Sequence, residues 1–125
     1  MDVVVLLQYA WPYTNELQRR AESIEIEKML QWCLKDAVLP DGSFHPSTGG
    51  EDSLEEDEYF GVAFLVRAGY FEASRRFWTH QTFPETEDLR HRLINFIQRH
   101  KASGVAGGAS YESALRELGE QPVAK

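Results

Sequence analysis

From Tyr59 to Val66 the chain reads Tyr-Phe-Gly-Val-Ala-Phe-Leu-Val, eight consecutive positions without a charge. A helix at a protein surface needs a polar face, so an element that is apolar on nearly every side must be covered by others. Its start is marked by Ser53-Leu54-Glu55-Glu56, which fits a capping box: a serine hydroxyl and a glutamate carboxylate satisfy reciprocal backbone amides. Gly69 supplies a C-terminal cap. The run therefore predicts a central, buried helix beginning at Ser53. Gly61 costs about 1 kcal/mol relative to alanine inside a helix, and the expected compensation is close approach of a neighbouring helix.

The remaining segments supply the cover. Asp2 to Tyr13 fits either a short strand, from its three valines, or a helix stopped by Pro12, and the context favours helix. Thr14 or Asn15 then caps a long helix running to about Val38. In it Leu17, Ala21 and Ile24 form an apolar stripe that Ile26, Leu30, Cys33 and Ala37 continue, shifted slightly around the cylinder. Pro40-Asp41-Gly42 is a turn, and residues 40–52 read as a loop. Tyr70 to His80 is expected to be a short helix packing Tyr70, Phe71, Phe77 and Trp78 inward. Thr86 caps a further helix with Leu89, Leu93, Phe96 and Ile97 on its buried face. Ser110 to Leu118 forms a last one, facing inward with Tyr111, Ala114, Leu115 and Leu118.

These elements define an all-α fold of about five helices, packed as helical hairpins in one domain over residues 1–125, with a tail expected to fray after residue 119. At 125 residues the chain can bury roughly two thirds of its unfolded surface. Thirteen basic against twenty acidic side chains leave a net charge of −7, which repels phosphate backbones and anionic headgroups and argues against nucleic acid and membrane partners. The single cysteine, Cys33, makes no internal bridge, which favours a reducing, cytoplasmic setting. The apolar N-terminal run is too short to span a membrane, and an acid stands where a signal peptide carries positive charge.

Chemistry-bearing residues gather around the 40–58 segment. Six carboxylates lie between Glu51 and Glu58, a pattern that a helix dipole explains and that lacks the spacing of a calcium loop. Asp57 and Glu58 enter the apolar helix. Either one, facing a cavity, would have its pKa raised by desolvation and become suited to proton transfer. His45 is the third candidate for catalysis, and Asp41, Phe44, His45 and Tyr59 are candidates for ligand contact. No metal site is expected: the histidines form no zinc pattern, and Glu87 with His91 fits an ordinary helical ion pair. No cofactor motif is present: a glycine-rich phosphate loop, a dinucleotide fingerprint and a nucleophile elbow are all missing.

The succession of a helix, Leu39-Pro40-Asp41-Gly42-Ser43-Phe44, and then Asp57-Glu58-Tyr59-Phe60-Gly61-Val62-Ala63-Phe64-Leu65 resembles the helix pairs of α/α-toroid proteins. Terpenoid cyclases, prenyltransferase β subunits and several glycan-degrading enzymes share that architecture. The resemblance covers about residues 25–100 and implies only an arc of a toroid, since a full ring needs about twice as many helices. The acidic motif of the cyclases is absent, so no catalytic residue carries over. An open arc leaves apolar helix faces uncovered, and such faces mark contact surfaces. The expected function is a helical interaction or accessory module that self-associates or docks on a larger protein. The alternative is a small enzyme or ligand-binding domain acting on a carbohydrate or isoprenoid at the 40–58 loop.

Overall fold

The structure is a computed structural model that describes the backbone over residues 3–44, 54–102 and 109–119, and side chains over 4–44, 57–100 and 110–119. The described residues form five α-helices: α1 (Val3–Ala10), α2 (Glu16–Trp32), α3 (Leu54–Arg67), α4 (Thr86–Ala102) and α5 (Ala109–Glu117). There is no β-strand among them; Val38 and Phe44 form one isolated antiparallel bridge. The fold is all-α. No described helix is long and apolar enough to cross a membrane.

The first segment is helical rather than extended, and Pro12 ends it in a 3-10 turn over Trp11–Tyr13. Of the two candidate caps, Asn15 takes the role. Its Oδ1 accepts from the Gln18 amide at 2.8 Å while Gln18 Oε1 accepts from the Asn15 amide at 2.9 Å. Thr14 turns back instead, donating to the Trp11 carbonyl at 2.7 Å. The long helix reaches Ala37 as expected, but its last turn, Cys33–Ala37, is π-helical and closes with Val38 N–H donating to the Cys33 carbonyl at 3.0 Å.

Helix α3 is the hub, with Val62 and Leu65 fully buried, as is Ala68 just past its end, and its most extensive backbone contacts are with α5. Arg67 of α3 and Glu117 of α5 pair at 2.8 Å, both about three-quarters covered. Helix α4 brings Leu89, Leu93, Phe96 and Ile97 to the core as the sequence predicts, and α5 brings Tyr111, Ala114, Leu115 and Leu118. Arg90 fastens α4 to α5 by donating twice to the Leu118 carbonyl, at 3.0 and 2.6 Å. Gly69 ends α3 in a Schellman motif at φ +80°: its own amide bonds Val66 and the Tyr70 amide bonds Leu65.

Three expectations are corrected. In α2 the buried residues are Ile26 and Leu30, followed by Cys33 and Ala37, whereas Leu17, Ala21 and Ile24 face outward, with Leu17 75% and Ile24 50% exposed. At 100° per residue the two sets lie on nearly opposite sides of the cylinder, so only one of them can meet the core.

Tyr70 to His80 is not a helix, apart from a 3-10 turn at Ala73–Arg75. The Arg76 guanidinium replaces the helical ladder, donating to the carbonyls of Gly69, Gln81 and Tyr70 at 2.8, 2.7 and 3.3 Å and lying over the Phe83 ring. The aromatics are anchored separately: Trp78 Nε1–H donates to the Ala68 carbonyl at 2.7 Å, and Phe77 packs edge-on against Trp11. The third correction concerns Gly61, where the close neighbour is not a helix but the ring of Phe44.

Candidate functional site

The site grows from the turn that follows α2. Asp41 Oδ1 accepts from the Ser43 amide at 2.9 Å and from its hydroxyl at 2.6 Å, while Leu39 N–H donates to the Ser43 carbonyl at 2.8 Å. These bonds hold the Asp41 carboxyl below its ordinary range, the Ser43 hydroxyl being the main cause. Gly42, at φ +94°, lies against α4 so closely that a Cβ there would come within 2.8 Å of the Arg92 carbonyl carbon. The turn is thus wedged between α2 and α4 and delivers Phe44 to α3.

Phe44 meets α3 twice. Its ring covers Gly61, and its backbone amide donates to the carboxyl of Glu58, one helical turn earlier on the same face. Glu58 is 1% exposed, the one buried charged-type side chain among the described residues. Burial pushes its pKa up to about 9 from 4.5; the Phe44 amide pulls the other way, and Asp41 adds a small upward push. At neutral pH Glu58 is a neutral acid. It lines none of the three principal clefts.

On the solvent side of Phe44 lies an apolar cleft of about 330 Å³. Met29, Trp32, Cys33 and Ala37 form one wall; Asp57, Phe60, Gly61 and Phe64 of α3 form the other, with Phe44 between them. Trp32 is 55% and Phe60 64% exposed. The Cys33 thiol is buried, and desolvation pushes its pKa up to about 12, so it serves as an apolar filler with no nucleophilic character. Among the described residues Asp57 carries the only carboxyl in the lining, and its side chain makes no hydrogen bond or ion pair with them.

The sequence candidates are therefore separated. Asp57 and Phe44 belong to the apolar cleft, with Glu58 behind them. Asp41 instead lines a separate cleft of about 600 Å³ with Pro40, Arg92, Asn95 and Arg99. Tyr59 points elsewhere: its hydroxyl accepts from Arg67, 3.3 Å away, beside the α5 contact. His45 lies outside the described residues, as do the side chains at 51–56. Sequence reasoning missed Trp32, Met29, Phe60 and Phe64; the i, i+4 pair of aromatics in α3 and the tryptophan beside Cys33 were the available signals. Glu87 and His91 form an exposed contact at 3.9 Å, and among the described residues no three potential ligands gather around a metal position.

Comparisons with protein-family models, with curated proteins and with solved structures found no match to this chain.

Proposed function

We propose that this chain is an interaction module that docks on a partner protein through the cleft between α2 and α3. The observation that carries the reading is the pair of exposed rings, Trp32 and Phe60, flanking a concave apolar surface floored by Phe44 and Phe64. Aromatic side chains of this kind supply most of the binding energy at protein interfaces when a partner buries them. The cleft falls at the low end of the range for pockets that receive a ligand group. Its size suits one anchoring side chain.

Charge selects among occupants. A second copy would bring another net −7 to the contact, and with it another Asp57, so self-association is opposed by like charge. A partner segment with an apolar anchor next to basic residues meets both the cleft and its carboxylate. The resemblance to α/α-toroid hairpins is part of this proposal, as a source for helix faces left uncovered.

The test is selection of binding segments from a random peptide library displayed on phage, using the intact chain as bait. Enriched peptides should share a bulky apolar residue beside lysine or arginine and lose at least tenfold in affinity against Trp32→Ala. Peptides indifferent to Trp32 would refute the reading, as would failure to bind either encoded peptides or peptides carrying modified side chains. Light scattering across a concentration series supplies the other arm, and a stable dimer through this cleft would replace the partner protein with a second copy.

A further inference from the structure

We infer that the anchoring group received by the cleft is an alkylated ammonium, a methylated lysine side chain on the partner; this rests on the docking reading above. Among the described residues four aromatic rings line the space, those of Trp32, Phe44, Phe60 and Phe64, and the one carboxyl beside them is that of Asp57. Aromatic faces attract cations through their quadrupole, most strongly when the cation is poorly hydrated, as a methylated ammonium is. A carboxylate at the same wall adds a charge interaction, and Asp57 has no competing cation among the described residues.

The lining argues against other ligand chemistries. A carbohydrate requires several hydrogen-bonding groups, and apart from Asp57 the described residues of the wall offer the Trp32 indole N–H and an undissociated Cys33 thiol. An isoprenoid diphosphate or any other phosphate ester would bring negative charge towards Asp57 on a chain already at −7. An ordinary lysine ammonium is strongly hydrated and gives up that water at a cost, whereas methylation removes donors and spreads the charge over an apolar surface. A neutral hydrocarbon would fit by shape alone, and the carboxylate distinguishes the two.

The experiment compares four probes by isothermal calorimetry with the full chain: a peptide bearing trimethyllysine between basic residues, the same peptide with unmodified lysine, the same peptide with the uncharged tert-butyl isostere, and choline. The expected result is at least tenfold preference for trimethyllysine over both peptide controls. Asp57→Asn should reduce the preference over the isostere, and Trp32→Ala should abolish binding, each with an unchanged helical circular dichroism spectrum. Equal binding of the tert-butyl isostere overturns the cation assignment and leaves docking intact. Choline binding as tightly as the peptide overturns the protein-borne source in favour of a free small molecule. Failure of all four probes, while library-selected peptides bind through Trp32, overturns the ammonium alone; failure of both sets overturns the docking reading as well.

Discussion

The ring of Phe44 occupies the space that a Cβ on residue 61 would need: such an atom would lie 2.6 Å from Cδ1, and nearer still to the ring edge. Glycine in mid-helix is thereby explained by a loop residue, and the turn at 39–44 and helix α3 become one packing unit. Gly61→Ala should destabilise the fold by up to about 2 kcal/mol, an overpacking cost of about 1–3 kcal/mol set against a helix-propensity gain of about 1 kcal/mol. Urea denaturation of the double variant Gly61→Ala/Phe44→Ala is the check. With the ring gone, the alanine at 61 should add little further loss, or even restore stability.

Glu58 makes stability depend on pH. Its folded pKa of about 9 stands above the ordinary 4.5, so the contribution is fully present below about 4.5 and is lost as pH rises through about 9. Across that window the unfolded chain has released a proton that the folded chain keeps, and the slope approaches at most about 1.4 kcal/mol per pH unit. Glu58→Gln preserves an oxygen for the Phe44 amide and cannot ionise. It should flatten the profile between pH 5 and 9 and raise the melting temperature at pH 8; a profile as steep as the parent's would contradict the assignment.

The outward stripe of α2 should be permissive. Leu17→Glu and Ile24→Glu are expected to change stability by no more than about 0.5 kcal/mol, while Ile26→Ala, at a fully buried position, should cost about 2–5 kcal/mol. Parallel chemical denaturation of the three variants measures this directly, and a large loss for the glutamate variants would mean that this stripe is covered.

Arg76 organises the stretch after Gly69 with one guanidinium. Arg76→Lys keeps the charge but has no planar fork to span the carbonyls of Gly69, Tyr70 and Gln81. Amide hydrogen exchange should show faster exchange at residues 70–83, with α3 and α5 losing less protection. Uniform loss across the chain would show instead that this stretch unfolds only with the core.

Cys33 should resist alkylation in the folded state. With its pKa pushed up to about 12, almost no thiolate exists at pH 8, and iodoacetamide should modify the protein only in denaturant.

The helices were legible in the chain wherever amphipathic period and end signals agreed. Leu89, Leu93, Phe96 and Ile97 in α4, and Tyr111, Ala114, Leu115 and Leu118 in α5, occupy the core as their spacing requires. The reading failed where two apolar stripes compete on one cylinder, as in α2, because periodicity ranks faces without knowing which neighbour arrives. It failed again at Tyr70–His80, where an arginine side chain competes for backbone carbonyls, a long-range choice that no local pattern records. Of the candidate site, Phe44 and Asp57 were visible as residues that must land somewhere specific. Phe60 belongs to a run expected to be covered on nearly every side, and no pattern in the sequence singles out Trp32; only the geometry of the turn at 39–44 reveals the gap between these two exposed rings.

Phe44 has two sides with different chemistry: its ring faces the cleft and its amide holds the Glu58 carboxyl. A guest whose entry displaced the Phe44 backbone along with its ring would change how tightly Glu58 retains its proton. Linkage would make that effect mutual, and affinity for such a guest would vary with acidity over the range in which the proton is exchanged. Binding would then be accompanied by proton uptake or release, readable as a calorimetric heat that differs between buffers of unlike ionisation enthalpy.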